Sequence, residues 1–420
     1  MSGANWLREG GRIFSQTMLA LIGWLVLVPL VWLVPRQKNL MVIMGRNGGK
    51  FTDNSKYFYL QAQNSLPVGI RCMWLTSHRA DKKLLEDNGL PVLFYPSVQG
   101  VWLLVRAGVL VVDSCDWYLQ MRRFLLSGAR KIQLWHGVGF KQIEGSKVSH
   151  EAKEKQWISG SVITILRLGL RSFTGRHVRY DLVNTTSRFY LEEVFRPAFA
   201  SHYFLASGYP RNSFSCDKNA LLGTDTGILG KIETWHQQER RIVLVVPTFR
   251  ESRPTPLGLD SDTCRNLDAW CALHQVELVF KFHPWERGVE YFSGKHLHIY
   301  DAGADLYPLI GFADAMISDY SSIYMDFLLL DKPVLFLVPD MEEYIRKDRQ
   351  IQFDYNDMTP GPKVKTWPEL LEALEQQWKE DGYRHQRHAL VLKAFDELPQ
   401  EKATEKILQL MQEKNWIATA

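Results

Sequence analysis

Little in this chain of 420 residues suggests a covalently or metal-stapled scaffold. Its five cysteines occur without a Cys-x-x-Cys pair or a regular framework, which excludes a disulfide-built domain and a structural zinc site. Cys264 and Cys271 share helical spacing and read as buried apolar residues. The bulk of the chain is therefore expected in a reducing compartment. Net charge is also scarce, +4 at pH 7, so a protein that coats nucleic acid is not expected, although a local basic face stays open. Low-complexity tracts and internal repeats of fixed period are missing. With 46% apolar and 23% charged residues, the composition is that of a folded globular protein. The length exceeds one ordinary core, which predicts two lobes and a cleft.

Charge is missing altogether between Arg12 and Arg36, where the run "IFSQTMLALIGWLVLVPLVWLVP" stands. About 23 apolar residues suffice to cross a ~30 Å hydrocarbon core, and neither the short core nor the cleavage site of a signal peptide is evident. A retained membrane anchor over residues 1–38 is the expectation; a buried helix or a surface-lying segment is the alternative. Arg8 and Arg12 precede the run, whereas Arg36, Lys38, Arg46, Lys50 and Lys56 follow it. The positive-inside rule then puts the main body on the cytoplasmic side of the membrane. A second mixed segment, Lys155 to Arg179, interleaves Trp157, Ile163, Ile165, Leu166, Leu168 and Leu170 with four arginines. It reads equally as a membrane-interface helix or as a packing helix with a solvated basic edge.

What is present in quantity is alternation. "NLMVIMG", "IRCMWLTS", "PVLFYP", "GVLVVDS", "KIQLWHG", "YDLVNTTS" and "HYFLASG" read as buried strands, with helix-like stretches between several of them. A second series, "RIVLVVPTF", "VELVFKFHP", "HLHIYDA", "DAMISD" and "KPVLFLVP", begins near Arg241. The reading is α/β, with two doubly wound parallel sheets in two lobes. The first lobe spans 39–206, the second 207–396, and a closing C-terminal helix 397–420.

In such sheets ligands bind beyond the carboxyl ends of the strands, and the polar motifs fall there. "ISDYSS" puts Asp319, Ser321 and Ser322 between a strand and a helix, where unpaired amides and hydroxyls suit a phosphate; plain N-capping is the alternative. "PTFR" supplies Thr248 and Arg250, and "FKFHP" supplies Lys281 and His283. Arginine's planar fork suits a diphosphate. In the first lobe, "LWHG" ends a strand at His136, a residue whose ordinary pKa suits a general base, and Gly137 permits close approach to the backbone. The bland alternative is a histidine satisfied at a strand end. "DSD", Asp260 to Asp262, has metal-binding spacing but reads as a solvated loop, and "GRNGGKF" reads as a tight turn, with a part in admitting an acceptor as the alternative.

The ordered set "WHG", Lys141, "GYPRN", "PTFR", "KFHP", "DYSSIYMDF", "KPVLF" and "PGP" (Pro360 to Pro362) resembles the CDP-glycerol glycerophosphotransferases of teichoic-acid and capsule assembly, over roughly Asn39 to Lys363. The resemblance implies a GT-B fold and transfer of glycerol phosphate from CDP-glycerol to a hydroxyl on a lipid-linked acceptor, with release of CMP. It implies His136 as general base. His283, Arg250 and the Ser321–Ser322 turn would hold the donor diphosphate, with Thr248, Lys281 and Asp319 on the same donor side. Gly137, Lys141 and Arg211 would fall on the acceptor side. No tightly bound cofactor or metal is implied, and a divalent cation is left open; membrane lipid is an implied partner and nucleic acid is not. Val138-Gly139-Phe140 departs from the family's usual Thr-Pro-Leu type of stretch, and Glu251-Ser252 follows Arg250 where an Asp is common. These departures bear on acceptor or alditol choice. A GT-B glycosyltransferase using a nucleotide sugar is the competing reading, and a non-catalytic, polymer-binding member is a third.

Overall fold

The computed structural model describes residues 18–139, 141–143, 178–214, 217–248, 256–283, 292–342, 344, 352–396 and 400–418. The expected interface segment Lys155 to Arg179 lies outside them except at its end, and so does Arg250. The chain divides into two compact units. The first comprises Met1–His136, Ile143–Pro210 and Pro399–Ala420; the second comprises Gly137–Gln142 and Arg211–Leu398.

The first unit holds β1 (Gln37–Met44), β2 (Arg71–Thr76), β3 (Val92–Phe94), β4 (Ala107–Val112), β5 (Arg130–Gln133), β6 (Arg179–Thr185) and β7 (Ala200–Ala206). They form one sheet in the order β3-β2-β1-β4-β5-β6-β7, and every pairing is parallel. β4 is buried at all six positions of Ala-Gly-Val-Leu-Val-Val. Such an unbroken apolar run is what a strand covered on both faces requires. Strand order reverses between β1 and β4, which are paired at Val42 and Leu110. The C-terminal helix Ala403–Glu413 also lies in this unit, where the Thr404 hydroxyl donates to Gln61 of the Asp53–Ser65 helix.

The second unit holds β8 (Arg241–Val246), β9 (Val276–Phe280), β10 (Leu297–Ile299), β11 (Ala315–Ser318), β12 (Val334–Leu337) and β13 (Lys363–Val364). Their order is β10-β9-β8-β11-β12-β13, again wholly parallel. The reversal here falls between β8 and β11, in register at Val245 and Ile317. One face of the sheet packs against Leu267, Cys264 and Cys271 of the Ser261–His274 helix and against Leu370 and Leu374 of the Trp367–Lys379 helix. The latter helix starts on a capping box between Thr366 and Glu369. Two parallel α/β sheets are thus present as expected.

The N-terminal expectation is corrected in part. Residues 18–32 are helical, with a π-type turn over Gly23–Leu27 and an α-turn over Val28–Trp32. Among the described residues no helix is long and apolar enough to cross a membrane. The described part of the segment touches its own protein. Gly23 lies against the Phe124 ring, where any side chain would collide at 2.3 Å, and Trp32 Nε1 donates to Ser127 Oγ at 2.9 Å. Arg36, read from sequence as a flanking cation, turns inward instead. Its guanidinium donates to the carbonyls of Leu104 (2.8 Å), Ala107 (3.2 Å), Leu125 (2.9 Å) and Ser127, and burial pulls its pKa down to about 10. Residues 1–17 of the expected anchor lie outside the described part.

Candidate active site

In the first unit the carboxyl end of β5 runs into Leu134, Trp135 and His136. The Trp135 backbone is left-handed, with φ 59°, a conformation that costs a non-glycine residue on the order of 1–2 kcal/mol. Buried groups hold it there. The Trp135 N–H donates to Gln133 Oε1 at 2.9 Å, and its carbonyl accepts from Asn54 Nδ2 at 2.8 Å. The indole is buried against Phe199, with ring centroids 5.0 Å apart. His136, half-buried, then places Nδ1 2.8 Å from the Asp113 carbonyl. A carbonyl oxygen only accepts, so Nδ1 carries the proton and Nε2 is the basic nitrogen of the neutral ring.

Beneath this histidine lies a buried acid that sequence reasoning missed. Asp113 follows β4 and is fully buried. Its Oδ2 accepts from the Ser55 N–H at 3.2 Å, and its Oδ1 has no hydrogen-bond partner among the described residues. Burial first, and the nearby Asp53 carboxylate second, push its pKa up to about 7; Arg46 and Ser55 act in the opposite direction. Arg46 itself sits 3.5 Å from Asp53. The signal was available in "GVLVVDS", since Asp113 ends a strand next to the reversal point. Asn54 offered no such signal, because nothing local ties a helix start to a strand end 81 residues later.

The "GRNGGKF" segment follows β1 as the tight turn expected. Asn47, Gly48 and Gly49 all have positive φ, and a side chain at Gly49 would meet the Leu75 carbonyl at 2.2 Å. Asn47 donates from its backbone to Asp116 Oδ2 at 2.6 Å.

The second unit gathers donor-side candidates at its own reversal point. The Asp319 carboxylate, fully buried past β11, accepts from the Thr248 N–H (2.9 and 3.0 Å) and the Thr248 hydroxyl (2.8 Å). It also accepts from the backbone N–H groups of Tyr320 and Ser321, the latter at 3.2 Å, while Tyr355 donates to its carbonyl at 2.8 Å. Asp319 therefore ties the β8 and β11 ends together through bonds within the protein. Ser322 stands at the N-cap of the short Ile323–Phe327 helix without a side-chain capping bond, so plain capping does not account for it. The Gly137–Gln142 segment clusters with this unit. A Cβ at Gly139 would stand 2.9 Å from Ser322 Cβ, and one at Gly137 3.3 Å from Ser322 Oγ.

Other candidates take different positions. Arg211 is buried and paired with Asp326 at 2.6 Å, with its guanidinium 4.7 Å from the Tyr307 ring centroid; Tyr307 donates to the same carboxylate at 2.9 Å. Lys141 lies over the Tyr344 ring at 5.5 Å. Lys281 donates to the carbonyls of Ala304 (2.9 Å) and Asp301. His283 is exposed just past β9, at the end of a described stretch. Asp260 caps the Ser261–His274 helix through Thr263 at 2.7 Å, and Asp262 pairs with Arg265. "DSD" is thus a helix start where a loop was expected. Among the described residues no group of three or more His, Cys, Asp and Glu is placed to hold a metal ion.

Two parallel α/β sheets with polar side chains at both reversal points define a ligand-binding class of fold. Among solved structures the chain is similar to the wall teichoic acid polymerase TagF, at 20% identity and a TM-score of 0.68, covering 99% of this chain and 98% of that one. In sequence, the CDP-glycerol:poly(glycerophosphate) glycerophosphotransferase model matches residues 26–413, and the chain belongs to that family of transferases. A teichoic acid poly(glycerol phosphate) polymerase of Bacillus spizizenii is 25% identical over 83% of this chain and 86% of its own. A teichoic acid ribitol-phosphate primase of the same organism is 24% identical over 84% of this chain and 86% of its own.

Proposed function

We propose that this chain transfers glycerol phosphate, or a related alditol phosphate, from a CDP-activated donor to a hydroxyl of a lipid-linked, teichoic-acid-like acceptor. The observation that carries the reading is His136, whose Nδ1–H is fixed on the Asp113 carbonyl so that Nε2 is the proton-accepting atom at the carboxyl edge of its sheet. The acceptor oxygen attacks the β-phosphorus in line. The bond from that phosphorus to the bridging oxygen breaks, CMP leaves, and the acceptor proton passes to His136 Nε2. His283, Arg250, the hydroxyls of Ser321 and Ser322 and the Ser322 amide stabilise charge on the diphosphate, with Thr248, Asp319 and the Ser321 amide holding that turn in shape. Lys281, through its two carbonyl bonds, steadies the loop after β10 on the same side. Gly137, Lys141 and Arg211 belong to the acceptor side. The reading requires no resident metal.

The same reading places the protein at the cytoplasmic face of the cell membrane. Leu25, Leu30, Trp32 and Leu33 of the N-terminal segment and Val98 and Trp102 of the Val98–Arg106 helix are exposed apolar side chains, and they supply a surface for lipid.

Incubation with CDP-glycerol, CDP-ribitol and several nucleotide sugars, scored by released nucleotide, tests the reaction. CMP release from a CDP-alditol is expected, with loss of at least about 100-fold in His136→Ala and in His283→Ala. Release of nucleotide from a sugar donor alone, or full turnover by both variants, overturns the assignment.

A further inference from the structure

We infer that Asn54 and Gln133 are positioning residues for His136, acting through the peptide groups on either side of Trp135. The inference rests on His136 being the proton acceptor, and it adds two residues to which no role has been assigned. Both are fully buried amides. Gln133 is itself oriented by donating through Nε2 to the Ser114 carbonyl and to the Tyr180 hydroxyl, each at 3.1 Å, which turns Oε1 toward the Trp135 N–H. Asn54 is carried by the first turn of the Asp53–Ser65 helix. That turn is anchored by the next residue, where Ser55 Oγ donates to the Met44 carbonyl at 3.2 Å and Ser55 N to Asp113 at 3.2 Å.

The geometry then closes on one point. Backbone strain persists only where surrounding contacts over-determine it, and such outliers gather at functional sites. Trp135 is the left-handed residue immediately before His136, so its φ sets the direction in which the imidazole leaves the sheet edge. Relaxing to a right-handed φ would break the Asn54 and Gln133 bonds together, leaving buried polar groups without partners. It would also carry Nδ1 away from the Asp113 carbonyl, removing the bond that decides the tautomer. A displacement of about 1 Å in a reacting group can cost 10²-fold in rate.

The test compares Asn54→Ala and Gln133→Leu with Thr404→Val in the full-length protein. Thr404→Val unpicks a partly buried bond to the same helix, at Gln61, away from Trp135. Expected for the first two is a fall of about 10- to 100-fold in kcat with donor KM within about twofold. The imidazole ¹⁵N spectrum of His136, a single Nδ1–H tautomer in the parent, should become a mixture. Thr404→Val is expected to lower thermal stability and leave kcat and the tautomer signal unchanged. If Gln133→Leu does not fold, Asn54→Ser and Asn54→Ala carry the comparison. Unchanged kcat and tautomer signal in the Asn54 variants overturn the inference, as does an equal kcat loss in Thr404→Val, which would mark the effect as general destabilisation. His136→Ala separates the underlying assignment: retained turnover there sinks the proton-acceptor role, while the ¹⁵N spectra still report whether Asn54 orients the ring.

Discussion

Asp113→Asn gives a stability change whose size depends on pH. The carboxyl is fully buried, receives one hydrogen bond from Ser55 N at 3.2 Å, and faces the negative charge of Asp53. In the unfolded chain an aspartate titrates near about 3.9, whereas in the fold burial and Asp53 raise Asp113 to about 7. Between these two values the native state keeps a proton that the unfolded state has released. Stability must therefore fall as pH rises through that window, by up to about 1.4 kcal/mol per pH unit. Over about three units the ceiling is roughly 4 kcal/mol, reduced by whatever relaxation lets Arg46 approach the charge. Asparagine has the shape of the neutral acid and keeps an acceptor for Ser55, so the variant lacks the window. Urea melts of both proteins at pH 5, 6, 7 and 8, which cover the upper two units of that window, should show Asp113→Asn gaining on the parent by about 1–3 kcal/mol toward high pH. A difference that stays flat from pH 5 to 8 refutes the claim that this carboxyl is held protonated by the fold.

Two further substitutions probe the second unit. Asp319→Ala removes the acceptor for Thr248, Tyr320 and Ser321; a loss of about 3–5 kcal/mol is expected from the stranded buried donors, read by thermal melting together with a raised donor KM. Gly139→Ala puts a methyl 2.9 Å from Ser322 Cβ, an overpacking that costs about 1–3 kcal/mol; it should raise donor KM more than it lowers Tm, and an unchanged KM would show that the turn tolerates the shift.

Much of this architecture is written locally. Runs such as "GVLVVD" and "RIVLVV" are apolar without alternation, which only strands covered on both faces require, and both sheets are parallel. Polar residues at strand ends were equally legible, because the carboxyl-edge rule needs only the end of a strand. Thr248 and Asp319 both fall at strand ends by this rule, and the structure binds them to each other. What each side chain does there was not legible. Asp319 is turned onto backbone amides, Lys281 onto loop carbonyls and Arg211 onto Asp326, and each of these partners is distant in sequence or set by backbone direction.

The N-terminal run shows the same division. Its hydrophobicity was plain, but hydrophobicity alone does not reveal that Gly23 packs on Phe124 or that Arg36 turns back onto four carbonyls. By itself the sequence determined the fold class and where along the chain chemistry could sit, because periodicity and strand termination are local properties. Only the tertiary structure decided the left-handed Trp135, the amides of Asn54 and Gln133 that hold it, and the raised pKa of Asp113. Those depend on burial and on contacts between segments that no local pattern encodes.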